Sequence, residues 1–370
     1  MSLIREIIRR EIEKEGVISF ERFMELALYF PGYGYYMSNR LPWGKEGDYY
    51  TAPQLHKIFG IMAGIQLKEF WEVMGKPKRF TVIEGGPGDG SLARSVLSYL
   101  SEYEKDLFRS LCYVLLEKNP FFQILQKDKL NQFENVIWSE DLRDIPLFCG
   151  VFISNELFDS FPVRRVKMEE DLKEIYVTFK EGDFVEFLEN ASSDLKTYID
   201  RFTEGLPKGF ITEVCLKLKE FLDELSVKLE EGFIFTVDYG FTSKEYYSKE
   251  RSGGTLVCYF KHRFHDNPYI NVGEQDITAH VNFSALHIWG EERDFQTVGF
   301  CPLAPYLVSL GIDRVIEAMK RYIEPPDIFK LKMLLIPEGF GETHRVMIQK
   351  KNLGDVNLEG FKLKNIKHSL

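Results

Sequence analysis

The residues best suited to chemistry fall in one stretch, Glu84-Gly85-Gly86-Pro87-Gly88-Asp89-Gly90, which follows the apolar run Phe80 to Ile83 and precedes Ser91-Leu92. Closely spaced glycines let the backbone take positive φ and bring main-chain N–H groups near a ligand, and a helix starting there adds its positive end. A dinucleotide fingerprint needs a further glycine three positions after Gly88, and that position is Ser91. The spacing is instead G-x-G-x-G preceded by an acid. Glu84 would repel a pyrophosphate and suits a ligand carrying an ammonium group, which points towards S-adenosylmethionine and away from NAD. A glycine-rich turn also serves simply to tighten strand-to-helix packing, and the glycines alone do not separate the two readings.

Other acids break the tie. Cys112 to Leu116 reads as a strand ending at Glu117, Val136 to Trp138 as one followed by Glu140-Asp141-Leu142, and Val151 to Ser154 as one ending at Asn155-Glu156. Phe233 to Val237 is a further buried strand, ending in Asp238-Tyr239-Gly240. In an open α/β sheet ligands bind outside the carboxyl ends of the strands, so these residues are expected to converge on the glycine turn. Glu117 can accept both hydroxyls of a ribose, and Asp141, beside Leu142, can accept from an adenine amino group. Asn155 supplies another wall. Each acid taken singly also reads as a helix N-cap; together they favour a nucleoside pocket. The run Gly47-Asp48-Tyr49-Tyr50-Thr51-Ala52-Pro53 is poor helix material and reads either as a lid contributing Asp48, Tyr49 and Thr51 or as aromatics covering an exposed core edge.

These residues need an α/β scaffold of doubly wound type. The regular alternation of strand and helix signals predicts a seven-stranded sheet, its core divided between 76–163 and 208–350. An N-terminal helical cover with an active-site loop occupies 1–75, where Ile4, Ile7, Ile8 and Ile12 share one helical face. A hairpin around Glu181-Gly182-Asp183 marks 164–207 as an insertion on the substrate side, 242–283 is a second, and 351–370 forms a C-terminal tail. The chain has 370 residues, enough for a sizeable core, and five dispersed cysteines without a C-x-x-C pair, which indicate buried thiols in a reducing compartment. A net charge of -10 argues against a general nucleic-acid or anionic-membrane binder and favours cationic partners. No segment is apolar enough to span a bilayer, the N-terminus lacks targeting features, and a cytoplasmic address is expected. His262, His265, His280 and His287, with Asp266, Glu274 and Asp276 nearby, prompt a metal-dependent hydrolase as an alternative, but no helical ligand pair such as H-E-x-x-H occurs and no metal is expected.

The combination Gly32-Tyr33-Gly34-Tyr35-Tyr36, Gly47 to Pro53, the glycine turn, Asn155-Glu156-Leu157-Phe158-Asp159-Ser160-Phe161-Pro162, Val237-Asp238-Tyr239-Gly240 and Glu274-Gln275-Asp276-Ile277-Thr278-Ala279-His280-Val281 resembles the MidA-like methyltransferases, over almost the whole chain. The resemblance implies a class I S-adenosylmethionine-dependent (Rossmann-like) fold. By analogy with the mitochondrial members, which assist assembly of respiratory complex I, it also implies methylation of arginine in a protein substrate. After Ala52-Pro53 the family usually reads Glu-Ile-Ser-Gln, whereas this chain has Gln54-Leu55-His56-Lys57. A guanidinium is a poor nucleophile because its lone pairs are delocalised and it stays protonated at neutral pH. Carboxylates must therefore orient it, and one group must accept the departing proton. Glu156 and Asp159 are the first candidates, then Asp238, with His280 as a proton acceptor. An assembly scaffold that binds the nucleoside without catalysis is the alternative of a different class.

Overall fold

The computed structural model describes residues 3–44, 47–319 and 325–370; positions 1, 2, 45 and 46 of the expected cover and 320–324 of the expected core lie outside them. The chain forms two compact units, one of Met1–Tyr50, Phe158–Phe221 and Phe241–Leu286, the other of Thr51–Leu157, Leu222–Gly240 and His287–Leu370.

The second of these is built on the expected sheet. Seven of the eight strands of the sheet, one more than the sequence predicts, are β1 (Phe80–Gly85), β2 (Leu111–Leu116), β3 (Val136–Ser139), β4 (Phe148–Asn155), β5 (Leu229–Phe241), β6 (Gln296–Pro302) and β7 (His344–Lys351). They lie in the order β3-β2-β1-β4-β5-β7-β6. The neighbours from β3 to β5 run parallel, and β7 is antiparallel to both β5 and β6. The order reverses between β1 and β4, and it is beside such a switch that a doubly wound sheet opens a crevice at its carboxyl edge. Sequence and burial agree on why these segments are central strands. Val82, Ile83, Val114, Leu115, Val151, Phe152, Phe233 and Ile234 are almost wholly buried, a near-continuous apolar run in each strand as parallel sheets covered on both faces require. Helix Ser91–Tyr103 follows the glycine turn and buries Leu92, Ala93, Val96, Leu97 and Leu100. Helix Ile58–Val73 brings Phe70 onto Phe233, ring centroids 4.2 Å apart. The segment expected as a tail packs with the same core through Leu358 and Phe361.

The other unit holds two antiparallel sheets. One runs Ile18–Ser19, Leu172–Lys180, Arg164–Met168, Ile211–Val214, with Asp183–Asn190 also paired to Leu172–Lys180. The expected hairpin is thus present, its turn made by Glu181 and Gly182, both at positive φ (53° and 92°). Helix Leu3–Glu15 buries Ile4, Ile8 and Ile12 into this unit's core, with Ile18, Phe20 and Phe23. The other sheet, in the order Arg263–His265, Val257–Phe260, Asp276–Thr278, lies in a region that reads as irregular in the sequence. The reason for the difference is its turn: Lys261 and His262 both take positive φ (50° and 59°) without a glycine or asparagine to announce it.

Candidate functional site

The glycine turn is a left-handed cradle. Gly86, Gly88 and Gly90 have φ of 62°, 55° and 77°, and Gly90 caps helix Ser91–Tyr103. Such backbone is open to glycine at little cost, and the turn is fixed internally, Gly86 N donating to Leu116 O at 3.3 Å and Gly90 N to Pro87 O at 2.9 Å. Asp89 pins the far side, accepting from Ser91 N at 3.1 Å, Ser91 Oγ at 2.9 Å and Lys129 Nζ at 2.7 Å. Glu84, at the end of β1, is buried, and Tyr113 Oη donates to its Oε2 at 2.6 Å. Burial lifts this carboxyl to about 8, while the Tyr113 bond acts in the opposite direction.

Glu117 follows β2. Its Oε1 accepts from Asn119 N at 2.7 Å and its Oε2 from Gln126 Nε2 at 3.3 Å. Burial pushes it up to about 7 against the pull of the Asn119 N–H, the Gln126 amide and the Lys118 N–H. The same Gln126 nitrogen donates to Gly88 O at 2.7 Å, and Gln126 Oε1 accepts from Trp138 Nε1 at 3.0 Å. Asp141 caps the short helix Leu142–Asp144, accepting from Arg143 N at 2.8 Å and from the Arg143 guanidinium at both oxygens, which holds its carboxyl well below the ordinary range. Leu142 is buried beside it.

At the end of β4, Asn155 Oδ1 is buried and has no hydrogen-bond partner among the described residues, while its Nδ2 donates to Glu156 Oε1 at 3.0 Å. Glu156 takes a left-handed φ of 52°, unusual for a residue with a side chain. Its Oε1 also accepts from Ala52 N at 3.3 Å and lies 3.6 Å from His344 Nε2. Asp238, at the carboxyl end of β5, is wholly buried; Oδ1 accepts from Tyr239 N at 2.9 Å and Oδ2 from Leu157 N at 3.2 Å, so it staples the turn that carries Glu156. Thr51 starts the short helix Ala52–Leu55, and Gln54 Oε1 accepts from Thr51 N at 3.4 Å as one half of a capping box. An acid at position 54 would accept the same bond.

The other unit carries the remaining candidates. Asp48 is wholly buried, with Oδ2 accepting from Tyr35 Oη at 2.8 Å and from Arg40, and Oδ1 from Lys261 N at 2.6 Å. Tyr49 Oη lies 3.1 Å from Tyr36 Oη and accepts from Trp43 Nε1 at 3.2 Å; Tyr36 Oη donates to Asp276 Oδ1 at 2.7 Å. Burial raises Asp276 to about 7, with the Tyr36 and Tyr49 hydroxyls opposing. Asp159 is buried in the turn Phe158–Ser160, and its carbonyl accepts from Ala279 N at 2.9 Å. The His280 ring stacks on Phe241 with centroids 5.0 Å apart and sets Nδ1 3.1 Å from Thr255 O. A carbonyl only accepts, so Nδ1 carries a hydrogen. The other three histidines are engaged separately: His262 stacks on Tyr50, His265 Nδ1 accepts from Asn267 N, and His287 Nδ1 lies 2.8 Å from Thr297 Oγ1.

Comparison with known proteins decides the reading of the cradle. A family profile described as "Putative S-adenosyl-L-methionine-dependent methyltransferase" matches residues 62–301, which contain the glycine turn, Glu117 and Asp238. The chain belongs to this methyltransferase family. It is 28% identical over 314 residues to a Drosophila melanogaster homolog of the mitochondrial protein arginine methyltransferase NDUFAF7, covering 77% of this chain and 69% of that protein. Identity to the Xenopus tropicalis protein arginine methyltransferase NDUFAF7 is 27%, over 82% of this chain and 74% of the relative. A protein of Burkholderia thailandensis whose crystal structure is bound to S-adenosyl-homocysteine superposes with a TM-score of 0.90 at 29% identity, covering 99% of this chain and 96% of its own.

The methyltransferase's own residues fit S-adenosylmethionine. Three glycines at positive φ give a turn without side chains that a ligand can approach closely, Glu84 and Glu117 present buried carboxyls at adjacent strand ends, and the orphaned Asn155 Oδ1 lacks only a donor. Glu84, Gly86, Gly88, Gly90, Glu117, Asn155, Glu156 and Asp238 therefore share one sheet edge, with Asp141 and Leu142 following β3. Asp48, Tyr49, Asp159 and His280 belong to the other unit. Sequence reasoning missed Tyr113, Gln126 and His344. Tyr113 alternates with apolar neighbours inside a strand, and Gln126 falls on the buried stripe of its helix with Phe122, a polar residue at an apolar position that was the one available signal.

Proposed function

We propose that this chain transfers the methyl group of S-adenosylmethionine to an arginine side chain of a protein, and that its substrate is a subunit of a complex I-type respiratory assembly. The observation that carries the reading is the pairing of the glycine cradle with two buried carboxyls, Glu84 and Glu117, at neighbouring strand ends. The choice of arginine is supported by the names of the relatives, and that of the respiratory subunit by the family resemblance.

When bound, S-adenosylmethionine supplies a methyl group already activated by its sulfonium, so alignment and exclusion of water matter more than acid–base activation. Glu84 would hold its ammonium group and Glu117 its ribose hydroxyls, with the side-chain-free backbone of Gly86, Gly88 and Gly90 beside the chain between them. Asp141 would accept from the adenine amino group, Leu142 would cover the ring, and Asn155 Oδ1 would accept a remaining donor. Glu156 would bind the guanidinium. Ala52 N–H and Asn155 Nδ2 both donate to its Oε1 and so fix the carboxylate plane and the direction of Oε2. A carboxylate so fixed pairs with an N–H of the guanidinium and takes the proton lost as the methylated nitrogen forms. Asp238 would serve by holding the Glu156 turn. Thr51 anchors the segment that supplies the Ala52 N–H. In the other unit, Asp48 and Tyr49 are proposed as anchors of the loop that begins at Gly47.

The test is incubation with methyl-labelled S-adenosylmethionine and an extract containing respiratory-complex subunits, followed by identification of the labelled residue. Label on an arginine of such a subunit is the expected result. Label on another residue type overturns arginine as the acceptor. S-adenosylmethionine binding with no label in protein, unaltered by Glu156→Ala, replaces the enzyme with a nucleoside-binding scaffold.

A further inference from the structure

We propose that Gln126 is the positioning residue that couples the two halves of the cofactor cradle, holding the glycine turn and the Glu117 carboxylate in one mutual arrangement. The proposal rests on the reading of that turn and of Glu117 as the S-adenosylmethionine site.

Gln126 is wholly buried in helix Pro120–Lys129, where an apolar side chain would pack at lower desolvation cost. Its amide instead joins three segments that are far apart in sequence. Nε2 donates to Gly88 O at 2.7 Å, in the turn after β1, and to Glu117 Oε2 at 3.3 Å, at the end of β2. Oε1 accepts from Trp138 Nε1 at 3.0 Å, on β3. The indole nitrogen can only donate, so this bond fixes which end of the amide is oxygen and commits both N–H groups to the cradle. The contact is close as well as polar: a Cβ at Gly90 would lie 3.3 Å from Gln126 Cγ.

The two N–H bonds differ in a telling way. The one to the carbonyl is short and the one to the carboxyl is long. A donor to an ionised carboxylate binds more strongly and at shorter distance than one to a neutral acid. Ionisation of Glu117 therefore tightens the amide on that side while its partner hydrogen stays on Gly88, and the turn is held where the carboxylate is held. Among the described residues, the groups that favour the ionised form of Glu117 are the Asn119 N–H, the Gln126 side-chain amide and the Lys118 N–H.

S-adenosyl-homocysteine binding measured by isothermal titration across pH separates this role from plain packing. Gln126→Met keeps length and volume and removes every hydrogen bond. The expected result is a Kd for S-adenosyl-homocysteine roughly 10- to 100-fold higher, the range that follows from losing hydrogen bonds to a charged group. The rise of affinity with pH should also move to higher pH, because Glu117 loses a donor to its ionised form. Trp138→Phe leaves Gln126 in place but frees its amide to turn over; it should weaken binding by several-fold and move the pH profile in the same direction. Unchanged affinity and an unchanged pH profile in either variant overturn the proposal. Should Gln126→Met not fold, Trp138→Phe alone decides it. Wild-type protein that does not bind S-adenosyl-homocysteine would instead overturn the cofactor site itself.

Discussion

Glu84 keeps its proton to about pH 8 because it is buried, with only the Tyr113 hydroxyl favouring the ionised form. The unfolded chain releases that proton near the ordinary carboxyl value of 4.5. Between these values the folded state binds more protons than the unfolded one, so the stability this group contributes is fully present below 4.5 and is lost as pH rises through about 8. Glu117 and Asp276, each raised to about 7, act in the same direction. Denaturant titrations of the ligand-free protein should therefore show stability falling from pH 5 to 8, a window set by these shifts, and Glu84→Gln should flatten the upper part of the fall. A slope unchanged by Glu84→Gln would mean that the carboxyl is ionised in the folded protein. Binding an ammonium group reverses the preference. S-adenosyl-homocysteine should release protons as it binds below pH 8, read by calorimetry in two buffers of different ionisation heat, and Glu84→Gln should reduce the release. Gly88→Val should abolish that binding. The position has φ 55°, where a β-branched side chain is strained by roughly 1–3 kcal/mol. The turn it belongs to is the cradle itself. Normal calorimetric binding by this variant would place the cofactor elsewhere.

Elements position these residues, and the turn after β4 shows how. Asn155 ends a buried strand, Glu156 swings back at φ 52°, and Asp238 from β5 holds the next N–H, so two neighbouring strands supply one rigid corner. Glu156→Gln preserves the Ala52 and Asn155 contacts at its remaining oxygen and removes the proposed proton acceptor. It should leave S-adenosyl-homocysteine affinity within about twofold and lower methyl transfer by roughly 10²- to 10⁴-fold, the span of general-base contributions. A parallel loss of affinity would make Glu156 part of the cofactor cradle. The strands themselves meet tightly at Gly150, φ 148°, where a Cβ would lie 1.9 Å from Thr81 O on β1. Gly150→Ala should cost several kcal/mol, of the order of strain and overpacking combined, seen as a large drop in Tm. These strands were legible in the sequence because each is an apolar run that ends in an acid or amide. The hairpin around Lys261 and His262 was not, since no glycine marks its positive φ. Nor was the partner of the cradle. Gln126 lies 38 residues from Gly88 and meets it only because parallel strands and their crossover helix bring them to one edge. Asp141 shows the converse: its residue type suggested a ligand, and its first partner is Arg143 two positions along.

Over the whole molecule, 57 acidic residues against 47 basic ones give a net charge of -10. The cofactor and the proposed substrate respond to that field differently. S-adenosylmethionine is small, and the groups proposed to hold it, Glu84 and Glu117, are buried, so salt would screen their interactions weakly. An arginine-bearing protein segment approaches through solvent, where an acidic surface raises the rate of encounter and screening removes the advantage over a Debye length of about 8 Å at physiological ionic strength. Raising sodium chloride from 50 to 300 mM, roughly halving that length or more, should therefore leave the Kd for S-adenosyl-homocysteine nearly unchanged. It should also lower kcat/KM for the protein substrate several-fold, mostly through KM. The two measurements together discriminate between substrates. A salt-insensitive kcat/KM would point to an acceptor without excess positive charge around its methylated residue, because a basic segment has no other route by which to escape the long-range attraction of this chain.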